Sequence, residues 1–352
     1  MDSLNIINKI INEECKKNDF SGIVLISNTK EENYCSYIYG YENMGCKIKN
    51  TIDTRFDTAS ITKVFTAVSI LQLLDKELIS LDDKVLDIID IGEVAFSKDV
   101  TLYQLLTHTS GIADDADEEA GEDYEAIWID KPNYSVRELK DLLPQFIYKE
   151  PNFVPGEGCR YNNCGYVLLG LVIEKITGEN YRDYITNNIF KAADMNNSGF
   201  LAMDDINNNV AEGYKKEFDN EGNLLRYKKN IYSYPSIGTT DGGAFVTAED
   251  MVKFLKALIN NKLLSKENSK EMLTPKVLYK KYDTFDKYVG FAFEFACDKN
   301  KNEICMMKDG CNAGVACMFK YYKDKDIVVT ILSNTDFNVW DLSYKIEKEL
   351  TK

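Results

Sequence analysis

The β-rich runs of this chain lie at its two ends and the helical patterns lie between them, an order that restricts the fold more than any single motif. Near the N-terminus, FSGIVLIS from Phe20 and NYCSYIYGYEN from Asn33 read as two strands joined by a polar turn containing Asn28 and Lys30. Near the C-terminus, YVGFAFEF, EICMMKDG, VACMFKYYK and DIVVTILSNT are β-rich runs separated by turn residues, and a last helix is expected from about Val339 to Leu350. From Thr58 to about Leu78, Ile61, Phe65, Val68 and Leu71 repeat at helical spacing, with further helical patterns around 136–148, 164–176 and 248–260. The economical architecture is α+β: one antiparallel sheet assembled from both termini, flanked by terminal helices, with a mostly helical lobe inserted. We expect a single domain, 1–352, built from an α/β lobe (about 1–57 and 280–352) and a helix-rich lobe (about 58–279). A cleft between the lobes is where chemistry would sit.

Composition narrows the function classes. Hydrophobic residues make up 44% and charged residues 28% of the 352 residues, ordinary values for a globular protein. No apolar run approaches the roughly 18 residues that a membrane span needs. The opening segment MDSLNIINKIINEECKKNDF reads as an amphipathic helix without the apolar core of a signal peptide, so a cytoplasmic location is expected. A formal net charge of -15 argues against a nucleic-acid partner. Nine scattered cysteines with no CxxC pair suggest free thiols and no zinc ribbon. His108 is the only histidine, which removes two-histidine metal sites, and no GxSxG elbow accompanies it; phosphate-binding glycine loops are absent as well. No metal or cofactor is implied.

A nucleophile activated without histidine needs another base. Lysine can serve if its pKa falls from about 10.4 toward neutrality, roughly 4 kcal/mol, through burial or a neighbouring cation. Ser60 and Lys63 suit this, because residues three apart share one helix face. The first turn of a helix adds free N–H groups and the positive end of the dipole, both favourable to a developing alkoxide. By itself SxxK is equally a helix-start serine followed by a solvated lysine, and SNTK at Ser27–Lys30 is a second copy in a turn. Two further elements decide: Tyr161 and Asn163, two apart in an irregular segment before a helix, and Lys308 and Gly310 at the end of a β-rich run.

Taken in order, SxxK, YxN and KxG resemble the serine β-lactamase and penicillin-binding-protein family, in particular its class C β-lactamase and D,D-peptidase branch. FDTASITKVFTA, LLTHTSGI, YNNCGYVLLGLVIEKITG and GGAFVTAEDMVKFLKAL resemble that family's blocks in the right order, over roughly residues 20–335. The resemblance implies a serine hydrolase acting through an acyl-enzyme on an amide or ester of a small molecule or short peptide. Ser60 would be the nucleophile, Lys63 its base, and Tyr161 the phenol that shuttles a proton to the leaving group. Asn163 would hold the substrate amide and Lys63, and the N–H groups of Ser60 and Cys311 would form the oxyanion hole. Lys308, beside Gly310, would lower the pKa of Tyr161 and attract a substrate carboxylate. The alternatives are a carboxylesterase on the same scaffold and a non-catalytic ligand-binding relative; oligomeric state is left open.

Two departures bear on the substrate. Asp309 stands where penicillin-recognising members carry threonine; it either faces the site, where it would repel a carboxylate, or alternates away from it. The acidic run DDADEEAGEDYEA, residues 114–126, reads as a solvated loop near the cleft mouth. His108 is expected to be a buried structural histidine, and the Cys311 thiol to be passive, only its backbone being used.

Overall fold

The computed structural model describes residues 2–30 and 35–350. Asn33 and Tyr34, the head of the second expected strand, lie outside the described residues. Among the described residues the sheet has eight strands: Gly22–Ser27 (β1), Cys35–Tyr39 (β2), Val277–Lys281 (β3), Asp286–Val289 (β4), Glu294–Cys297 (β5), Glu303–Asn312 (β6), Val315–Tyr322 (β7) and Ile327–Ser333 (β8). They run in the order β2-β1-β8-β7-β6-β5-β4-β3, each neighbour antiparallel. Strand β1 thus sits between its own hairpin partner and β8, with Gly22 opposite both Tyr39 and Ser333.

Burial on both faces explains why FSGIVLIS reads as an unbroken apolar run. Val24 and Ile26 point toward the terminal helices Asp2–Lys17 (α1) and Val339–Leu350 (α5), which contribute Ile7, Ile11, Leu342 and Ile346. Ile23 and Leu25 point the other way, into the larger core shared with Lys63–Asp75 (α2), Cys164–Thr177 (α3) and Ala248–Ile259 (α4). Helix α2 buries Val64, Phe65, Val68, Ile70, Leu71 and Leu73. At about 1.5–3 kcal/mol for each fully buried apolar side chain, that burial anchors the helix from which the candidate base projects.

Several local expectations are corrected. The helical pattern at 136–148 forms only a 3-10 segment, Leu139–Gln145, because Pro144 supplies no N–H and its ring clashes with a continuing α-turn. YVGFAFEF is not one strand: it breaks between Val289 and Glu294, where Ala292 adopts a left-handed φ of +64°. The helix-rich region also carries a hairpin, Tyr214–Phe218 with Leu224–Lys229, whose second strand is mostly exposed. The acidic run is solvated only in part, since Asp114 and Ala116 are buried while Glu118–Asp123 is exposed. All nine cysteines are free, and among the described residues no helix is long and apolar enough to cross a membrane.

Candidate active site

Ser60 occupies a 3-10 turn, Ala59–Thr62, that runs into α2, and Lys63 is the first residue of that helix. Ala59 enters the turn at φ +43°, a conformation that costs a residue with a Cβ about 1–2 kcal/mol. Bonds on either side hold it there. Asp57 Oδ1 accepts the Ala59 N–H at 2.7 Å, and Thr58 donates both its N–H (3.0 Å) and its hydroxyl (2.7 Å) to the Ala244 carbonyl. From the sheet side, β6 reaches the turn through Gly310. A Cβ there would lie 2.1 Å from the Thr58 carbonyl oxygen and 2.9 Å from the Ser60 nitrogen.

Around the serine the other elements converge. Lys63 Nζ lies 3.0 Å from Ser60 Oγ, 2.7 Å from Asn163 Oδ1 and 2.7 Å from the Asp241 carbonyl oxygen. Tyr161 donates its phenol O–H to Ser60 Oγ at 2.7 Å. Both Tyr161 and Asn163 come from the irregular segment before α3. Lys308 Nζ sits 4.8 Å from the centre of the Tyr161 ring, with Lys63 Nζ at 5.0 Å from the same ring. Strand β5 pairs with β6 only as far as Met307, so residues 308–312 present an open edge toward the Ser60 turn, with Cys311 exposed on it. Two cavities meet at Ser60, Glu118 and Cys311: one of about 360 Å³ running past Tyr124, Tyr234 and Asp241, the other of about 290 Å³ running past Tyr161, Tyr279 and Asp309.

Residues 7–350 match the Beta-lactamase family. The chain belongs to the β-lactamase family. It is 30% identical over 267 residues to Protein flp of Staphylococcus aureus (strain N315), an alignment covering 74% of this chain and 49% of that protein, so the chain spans about half of that relative's length. Penicillin-binding protein 4* of Bacillus subtilis (strain 168) is 28% identical over 331 residues, covering 91% of this chain and 69% of its own. Among solved structures, a penicillin binding protein from Bacillus halodurans superposes with a TM-score of 0.88 at 34% identity, covering 97% of this chain and 99% of the other.

In this β-lactamase-family protein the electrostatics of the site differ from what the motifs suggest. Burial, aided by Lys308 and opposed by Asp241, lowers Lys63 to about 8. Burial and then Glu118 push the Tyr161 phenol well above its ordinary value, so the expected lowering by Lys308 does not prevail. Glu294 explains part of this. Its buried carboxylate pairs with Lys308 at 3.4 Å and with Lys287, and the two cations outweigh burial to hold it below the usual range. Lys308 thus has a carboxylate partner, Glu294, within the protein.

Asn163 meets Lys63 through its Oδ1, while its Nδ2 donates to Asp114 Oδ2 at 3.2 Å and to Glu118 Oε1 at 3.1 Å, so both amide N–H groups have partners within the protein. Asp309 turns to the side opposite Lys308 and accepts the Trp340 indole N–H at 2.7 Å, at the rim of the smaller cavity. His108 is buried at φ +58°, its Nδ1 accepting the Asn162 N–H at 3.2 Å and its ring packed between Tyr161 and Tyr166. Burial and then Lys308 hold this imidazole neutral.

Four contributors escape motif reading: the Asp241 carbonyl, Asp114, Glu118 and Glu294. Glu294 left a signal, being the lone charge within the apolar run FAFEFAC. Among the described residues, Asp114, Asp115 and the Cys164 thiol bring donor atoms within 4.8 Å of one another, close enough for a metal ion. The Asp114 oxygens, however, are already occupied by N–H donors.

Proposed function

We propose that the protein is a serine hydrolase that cleaves an amide or ester through an acyl-enzyme formed on Ser60. The observation that carries this reading is the set of partners around Lys63 Nζ. Two of them, Asn163 Oδ1 and the Asp241 carbonyl, can only accept hydrogen bonds. A neutral amine gives its two N–H groups to these and keeps its lone pair for the Ser60 hydroxyl at 3.0 Å. A lysine near pKa 8 is neutral in a substantial fraction of molecules at neutral pH, as a general base requires.

As Ser60 Oγ bonds to the substrate carbonyl carbon, its proton passes to Lys63. The oxyanion that forms is received by the N–H groups of Ser60 and Cys311, each donor of this kind contributing about 2.7–4 kcal/mol to transition-state stabilisation. Tyr161, held as a phenol, gives its proton to the leaving nitrogen or oxygen, and Lys63 restores it. Water then attacks the ester carbonyl and loses a proton to Lys63. A proton returned to Ser60 Oγ releases the acid product and regenerates the starting state.

The paired state of Lys308 favours substrates without a carboxylate at the reacting end. That distinguishes this reading from a penicillin- or muropeptide-directed one and keeps esters in view as substrates. Mass spectrometry after exposure to a neutral fluorophosphonate should show one adduct on Ser60, absent from Ser60→Ala. A label that persists in Ser60→Ala, or maps to Ser27 or Ser110, refutes the assignment.

A further inference from the structure

Asn163 can do its work at Lys63 only if its amide is turned one way. With Oδ1 toward Lys63, the amide accepts from the amine; flipped, Nδ2 would place its donors against the donors of Lys63. The rotamer is therefore a functional variable. What sets it lies behind the amide, away from the cleft.

Asp114 is buried there, 5% exposed, in the loop that follows His108. Its Oδ1 accepts the backbone N–H groups of Asn163 and Cys164, each at 2.9 Å, and its Oδ2 lies 3.0 Å from the Asn163 N–H and 3.2 Å from Asn163 Nδ2. Those peptide groups open α3, whose positive end favours a carboxylate. The loop is itself clamped, because Lys149 Nζ donates to the Asp114 and Asp115 carbonyls at 2.9 and 2.8 Å. A carboxylate is costly to bury and would not be kept here for packing alone. Its contacts to the Asn163 N–H and Nδ2 fix the position and the rotamer of the residue that faces the base.

Resting on the reading of Ser60 and Lys63 as nucleophile and base, we infer that Asp114 is a positioning residue: it locks the Asn163 amide so that Oδ1, and not Nδ2, meets Lys63. The chain of contacts runs from Asp114 Oδ2 to Asn163 Nδ2, from Asn163 Oδ1 to Lys63 Nζ, and from Lys63 Nζ to Ser60 Oγ. Glu118 bonds the second hydrogen of the same amide but stands exposed on the cleft side, so it assists and does not anchor. The other groups facing Lys63 are Asp241 from the 236–243 loop, Lys308 from β6 and the rings of Tyr161 and Tyr166. Neutralising Asp114 removes one negative neighbour of Lys63 and frees the amide to flip away its acceptor. Both changes disfavour the ammonium, so both move the basic form of Lys63 to lower pH.

The test is the rate at which a neutral fluorophosphonate labels Ser60, measured against pH in Asp114→Asn, Asn163→Ala and the double variant. Asp114→Asn should label about tenfold or more slowly on the plateau, with its rising limb shifted to lower pH. On the Asn163→Ala background the same substitution should cause little further loss, because Asp114 acts through that amide. A wild-type rate and limb in Asp114→Asn, or a loss that multiplies fully with that of Asn163→Ala, overturns the inference. If Asp114→Asn does not fold, Asp114→Ser keeps a short acceptor for the α3 N–H groups and is read the same way. Failure of both to fold assigns Asp114 to stability alone and also overturns it. Failure of the underlying reading looks different: the wild-type protein would carry no label on Ser60.

Discussion

Tyr161 and His108 pack ring against ring, yet only the phenol touches Ser60 Oγ, the proposed nucleophile. Tyr161→Phe should keep its fold and lose about 100-fold or more in kcat/KM, the usual contribution of a positioned acid–base group. His108→Asn should retain the chemistry, since the ring's bonded nitrogen faces the Asn162 peptide and not the cleft. A dead, well-folded His108→Asn beside an active Tyr161→Phe would reverse these roles. In the proposed mechanism Lys63 sets the pH dependence. Its neutral form is the reactive one, so kcat/KM should rise with pH and level off above about 8, the value to which burial lowers it. A profile still climbing at pH 10 would mean an ordinary lysine. The apparent pKa belongs to the coupled cluster and not to one side chain, which is why mutants are needed beside the profile.

The turn bearing Ser60 and strand β6 meet backbone to backbone, and that contact sets the spacing of the two N–H groups proposed to hold the oxyanion. Gly310→Ala would bring a Cβ within 2.1 Å of the Thr58 carbonyl oxygen, with backbone on both sides and no flexible side chain to yield. We expect loss of fluorophosphonate labelling together with a lower melting temperature; a variant with both intact would show that β6 can retreat without cost. The sheet was legible in the apolar runs at both ends of the chain, because strands buried on two faces leave long hydrophobic stretches. Ser60, Lys63, Tyr161, Asn163 and Lys308 were legible as spaced pairs. What spacing could not reveal was where each side chain spends its hydrogen bonds. Asn163 offers its amide nitrogen to Asp114, 49 residues earlier, and Lys308 meets Glu294 across a strand pair, contacts that exist only once the elements pack. The acidic run misled for the same reason, since Asp114 is buried by packing, which raises its pKa to about 6, and the N–H groups that oppose this in part come from the start of α3.

Across the molecule, the excess of acid extends into the cleft. Glu118, Asp123, Asp241 and Asp336 line the larger cavity, where Lys215 is paired with Glu125; Glu119 and Asp309 line the smaller one, where Lys287 is paired with Glu294. Together with the -15 formal charge, this field disfavours anions. Neutral esters or amides should therefore exceed their carboxylated analogues in kcat/KM. Because several of these carboxylates are exposed, the gap should narrow as salt shortens the screening length below about 8 Å. Matched neutral and carboxylated substrates assayed at low and high ionic strength test this, and a preference for the carboxylated member would refute it.

The place of β1 between β2 and β8 carries a consequence for how the protein comes into being. A ribosome releases Ser60 and Lys63 well before β6, whose open edge completes their site, and before β8, which closes the sheet against β1. Until then β1 has only its hairpin partner, and its apolar faces have no sheet to join. Pairings this distant in sequence form slowly. In that interval the nascent chain carries Ser60, the proposed nucleophile, without the strand that would complete its site, and it depends on whatever shields an unpaired, hydrophobic strand edge in the cell.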